Sequence, residues 1–110
     1  MPRVNSAEEV FNLMPDHFLP EQAGNMHAVL QFDLSGDDGG QWVAAIADGK
    51  LTVTKGTVPT PNLTLNMTAK DYVAMVNGEL NPMSAFMQGK VKVKGETPLL
   101  MKMQKLFSFG

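Results

Sequence analysis

NPMSAFMQGKVKVKGETPLLMKMQKLF, residues 81–107, reads as helix, strand and helix with almost no slack between them. Asn81 is an N-cap candidate and Pro82 suits the first helical position. Met83, Phe86 and Met87 fall at i, i+3 and i+4 and share one face of a short helix. Gly89 stands where a left-handed residue closes a helix. Residues 90–94, KVKVK, alternate strictly, valines to one face and lysines to the other, as a strand with one wet side does. Gly95 turns the chain and Pro98 opens a last helix. On that helix Leu99, Leu100, Met103, Leu106 and Phe107 share about a third of the circumference. Met101 and Phe109 are apolar on its otherwise polar face. Nothing in the stretch has the make-up of a catalytic centre. Met-rich helix faces set against a strand suit an apolar ligand.

Working outward, Ser6-Ala7-Glu8-Glu9 has the form of a capping box, so a first helix is expected from Ala7, with Ala7, Val10, Phe11, Leu13 and Met14 inward. Pro15 removes one helical hydrogen bond and is expected to kink or end it, with a further helical turn before Gly24. Ala28, Leu30, Phe32 and Leu34 alternate with Val29, Gln31 and Asp33, giving a strand with one apolar face. Residues 36–40 form a flexible turn, and Trp42, Ala44 and Ile46 share the inner face of a second strand. Asp48-Gly49 is a two-residue hairpin signal leading to a third strand through Leu51 and Val53. Beyond the loop of Pro59 and Pro61, Leu63, Leu65 and Met67 mark a fourth strand. Thr68 caps a helix whose expected buried face is Ala69, Tyr72, Val73, Met75 and Val76, ending at Gly78. The elements add up to an α+β domain. A five-stranded, mainly antiparallel sheet with helices packed on it is expected, in a single domain spanning residues 1–110.

The segment of residues 81–95, with its Asn-Pro, Ala-Phe, Gly-Lys, alternating strand and glycine before an apolar helix, resembles the hallmark of the sterol-carrier-protein domain. Residues 29–36, VLQFDLSG, and Trp42 are similar to that family's first two strands. The likeness covers nearly the whole chain. It implies a small α+β lipid carrier with an apolar tunnel between sheet and helices.

Composition excludes several classes. With 110 residues and 44% apolar content, one core is expected and global disorder is not. A net charge of −2 and a pI near 5.5 argue against broad nucleic-acid binding. No cysteine means no disulfide, thiolate chemistry or cysteine metal site, which fits a reducing cytosol. The first residues lack an apolar signal region, the longest apolar run (42–47) is far short of a membrane span, and the last residues are not a peroxisomal address. A cytoplasmic, soluble protein is therefore the expectation.

Candidate chemistry is sparse. His17 and His27 have no partner at metal-ligand spacing and read as structural. Asp37 and Asp38, in a Gly-rich turn, lack the alternating oxygens of a calcium loop and would repel a phosphate. The inward positions carry no carboxylate, and Tyr72 is the only tyrosine, so no enzyme and no cofactor are expected. Lys90, Lys92, Lys94, Lys102 and Lys105 make a local basic stripe. It is either a solvated edge that discourages aggregation or a face for an anionic headgroup, and at most transient membrane contact is expected. Nine methionines either fill core gaps or conform to ligands of varied shape.

Carriage of a long-chain lipid or sterol-like ligand accounts for this pattern best. The expected lining is Phe32, Trp42, Ile46, Leu65, Val73, Met83, Phe86, Met87, Leu100, Met103 and Phe107. The alternative is an interaction or dimerisation module accessory to an enzyme, which Met101 and Phe109 favour.

Overall fold

Ser6 starts the first helix as its sequence demands: the side-chain oxygen accepts the backbone N–H of Glu9 at 3.2 Å. In the computed structural model, which describes residues 3–106, this helix α1 spans Ala7–His17. Pro15 does not end it. The helix runs two residues further, to an extended Phe18, and α2, Pro20–Ala23, begins on a proline at its first turn. Ala7, Val10, Phe11 and Met14 are buried as the periodicity requires, and Leu13 is half-buried.

Strands β1 (Ala28–Ser35), β2 (Gly40–Ala47), β3 (Lys50–Lys55), β4 (Leu63–Thr68) and β5 (Lys92–Gly95) form one sheet in the order β3-β2-β1-β4-β5. Asp48 and Gly49 both have positive φ, 53° and 72°, the backbone that joins β2 to β3 without splaying them. Three of the pairings are antiparallel. The fourth, β1 with β4, is parallel, setting Leu30 beside Leu63 and Phe32 beside Leu65.

The parallel pair follows from the connection that precedes it. Residues 56–62 leave the end of β3 and return to the start of β4 across the outer face of the sheet. The Gly56 N–H donates to the Gln41 carbonyl, and the Asn62 N–H donates to the Val29 carbonyl. Between them Gln31 Oε1 accepts the Val58 N–H at 3.0 Å. The alternation of β1 turns Gln31 away from the core, yet this loop leaves it only 4% exposed.

The inner face carries the row Trp42, Phe32, Leu65 and Val93, set by the strand registers. Phe11 of α1 stacks on Trp42 at 4.6 Å and meets Phe32 edge-on at 5.1 Å. Helix α3, Ala69–Val76, packs beside α1. Its N-cap Thr68 accepts the Asp71 N–H, and the Phe11 ring stacks on Tyr72 at 5.3 Å. Asn77 ties the N-terminal segment to the end of α3 through paired hydrogen bonds with the Val4 backbone, 2.9 Å each.

Helix α4, Pro82–Met87, is capped by Asn81, whose side chain accepts the N–H groups of Met83 and Ser84. Gly89 has φ 76°, the left-handed turn expected there. β5 begins at Lys92, shorter than the alternation of residues 90–94, though Val91 is buried and all three lysines of that run are exposed. Helix α5, Pro98–Leu106, follows. No helix among the described residues is long and apolar enough to cross a membrane.

Candidate functional site

Four helices and one strand leave a gap at the β4 side of the inner face. β4 turns Leu65 and Met67 up into it because inward positions alternate along a strand. α3 doubles back directly from β4, so its last turn brings Met75 and Val76 over the same ground, with Tyr72 one turn earlier. Met14 enters from α1, Gly78 and Pro82 close the rim, and Leu100 and Met103 of α5 form the remaining wall. The result is an apolar groove of about 270 Å³. Four methionines line it from four different elements. Among the described residues, no lysine, arginine, histidine or carboxylate lines it.

Among the described residues Tyr72 supplies the one side-chain hydroxyl in that lining. Its ring is 5% exposed, held by Phe11 and by Phe32 at 5.6 Å, and its hydroxyl donates to Met14 Sδ at 3.7 Å. Burial pushes the phenol well above its ordinary range, so it stays protonated and remains a donor.

Leu65, Leu100 and Met103, expected as lining, do line the groove. Phe32 (0%) and Ile46 (2%) lie in the closed core. Trp42, also buried, borders a separate recess of about 230 Å³ with Pro15 and Lys55. Val73 faces a different hollow, of about 490 Å³, beside Asp37, Asp38 and Lys70. Phe86 is half-buried against the core. Phe107 and Phe109 lie outside the described residues.

The Met83–Met87 face is the one the structure reverses. Ala85 is the residue α4 turns inward, at 0% exposure, while Met83 is 41% and Met87 82% exposed. At roughly 100° per residue, positions two before and two after Ala85 both point about 160° away from it. The small Ala85 lets the helix approach closely, and the two methionines are left on its outer side. Met14, Met67, Tyr72, Met75, Val76 and Pro82 were not expected as lining. Most sit on faces whose periodicity marked them as buried, but burial alone does not separate a groove wall from a filled core.

Elsewhere the polar groups are spread out. Lys102 and Lys105 border a cleft of about 510 Å³ between α2 and α5, with Glu96, Asn62 and His27. His27 lies 3.8 Å from Asp48 Oδ1 at the surface. Among the described residues no three histidines or acidic side chains cluster as metal ligands would.

Residues 8–108 match the model of the SCP-2 sterol transfer family. Hydroxysteroid dehydrogenase-like protein 2 of Rattus norvegicus is 35% identical over 108 residues, covering 97% of this chain and 21% of that protein. The chain thus spans about a fifth of this relative's length. The solution structure of palmitated SCP2L2 from Aedes aegypti superposes with a TM-score of 0.77 at 22% identity, covering 92% of this chain and 93% of that one. A part of the stereoselective inverting sec-alkylsulfatase Pisa1 from Pseudomonas sp. superposes with a TM-score of 0.82 at 22% identity, covering all of this chain and 18% of that one. These two structures share the fold.

Proposed function

The chain belongs to the SCP-2 sterol transfer family, and from that premise we propose that it carries a long apolar lipid non-covalently in the groove between β4, α3 and α5. One observation carries the reading: among the described residues the groove is walled by methionine and aliphatic side chains with one tyrosine, and by no charged side chain. Such a lining offers burial, not acid–base chemistry. Each methylene taken from water contributes about 0.8 kcal/mol, so a C16 tail gains roughly 12 kcal/mol gross. Association and ordering cost about 4 to 15 kcal/mol, which leaves an affinity suited to pick-up and delivery.

The groove's 270 Å³ falls just below the range of about 300–1,000 Å³ usual for ligand sites. Loading therefore involves repacking of its walls. Met75 and Met103, half-buried and unbranched, are the side chains best suited to give way. Titration with a fluorescent fatty acid, followed by competition with acids of differing length, tests the reading. Saturable binding at micromolar concentration with weak length selectivity is expected; no saturable binding would overturn it.

A second reading has its own support. The relative described above is about five times longer than this chain, so the domain there is one part of a larger protein. Met83 and Met87, side by side on the outer face of α4, give an apolar patch for a protein neighbour or a second copy. Size measurement alongside mass spectrometry of co-purified lipid separates the two readings. A lipid-free dimer would favour the second.

A further inference from the structure

Resting on the lipid-carriage reading, we infer that the Tyr72 hydroxyl is the groove's specificity element, donating a hydrogen bond to a neutral oxygen at the leading end of the ligand, an alcohol or a carbonyl. Three features of the site converge on this. The phenol is buried, and its position is set by ring contacts with Phe11 and Phe32, not by its hydrogen bond. Its acceptor among the described residues is the Met14 thioether at 3.7 Å, and a thioether sulfur is a weak acceptor. Both atoms belong to groove-lining residues, so a ligand oxygen that takes the sulfur's place as acceptor exchanges a poor hydrogen bond for a good one.

The same geometry excludes a charged leading end. An ionised carboxylate driven to Tyr72 would be desolvated with no cation among the described lining residues to compensate it. An alcohol or carbonyl carries no such penalty and needs one donor. The groove thus favours neutral oxygenated lipids entering oxygen-first, and ionised fatty acids entering tail-first with the carboxylate left at the rim.

The test compares 1-hexadecanol with hexadecane, each supplied from cyclodextrin, as displacers of a bound fluorescent fatty acid. The parent protein should prefer the alcohol, and Tyr72→Phe should cut the alcohol-to-alkane ratio roughly threefold to tenfold, the worth of one buried hydrogen bond. Alkane affinity should stay within about twofold, since the ring and its stacking remain. Because Tyr72 is the only tyrosine, NMR of its hydroxyl-bearing carbon in the parent protein gives a readout independent of any variant. That signal should move with hexadecanol and not with hexadecane. An unchanged ratio in Tyr72→Phe, or a signal indifferent to the alcohol, overturns the inference and leaves lipid carriage standing. If the fluorescent fatty acid itself shows no saturable binding, lipid carriage falls and the inference with it; if it binds and neither compound displaces it, the inference alone falls.

Discussion

Gln31 holds Val58: its Oε1 accepts the Val58 N–H at 3.0 Å, while its Nε2 donates to the carbonyls of Gly56 and Trp42 at 3.0 and 3.3 Å. One side chain thereby fastens the crossover loop to the back of the sheet. Gln31→Leu would take this partner from the Val58 N–H and from the Gly56 and Trp42 carbonyls. A loss of about 1 to 3 kcal/mol is expected, read as a lower urea midpoint. An unchanged midpoint would mean that the loop's own backbone hydrogen bonds suffice.

Gly89 joins α4 to the run leading into β5 with φ 76°, and a Cβ placed there would meet nothing within 4 Å. Any penalty for a side chain is therefore one of backbone conformation, not of collision. Gly89→Val should cost about 1 to 2 kcal/mol, and Gly89→Asn clearly less, since asparagine tolerates the left-handed region. Equal midpoints for the two variants would contradict this account.

Which face of α4 is inward can be tested with one pair of substitutions. Ala85→Leu should overpack the interface and cost about 1 to 3 kcal/mol. Met87→Gln, at a position 82% exposed, should stay within about 0.5 kcal/mol of the parent and bind lipid as the parent does. The reverse ranking in chemical denaturation would place the methionines inside after all.

Met103 and Met101 sit on different sides of α5, the first at the groove and the second 48% exposed. In a filled core Met103→Trp would cost roughly 1 to 3 kcal/mol through overpacking. Over an open groove the indole takes the ligand's place instead. Met103→Trp is expected to keep near-parental stability in lipid-free protein and to bind fluorescent lipid at least tenfold more weakly. Met101→Trp should preserve both properties. Strong destabilisation by Met103→Trp, or parental lipid affinity, would remove Met103 from the ligand site.

The sequence by itself determined the local geometry. The caps at Ser6, Thr68 and Asn81, the Asp48-Gly49 hairpin and the left-handed Gly89 each depend on residues a few positions apart, so their chemistry is complete within the segment. The strand alternations likewise marked Phe32, Leu65 and Met67 as inward before any partner was known. What only the tertiary structure decided is which surface covers which. The parallel pairing of β1 with β4 and the burial of Gln31 both follow from the path of residues 56–62 across two strands, a long-range choice that periodicity does not encode. An apolar stripe states that burial is favourable, but not against what. On α4 the small Ala85 is the residue turned inward, and the larger Met83 and Met87 are left outside, a choice their spacing alone did not make. The groove is a tertiary fact for the same reason. Met14, Met67, Met75 and Met103 come from four elements and share a wall only once those elements are packed together.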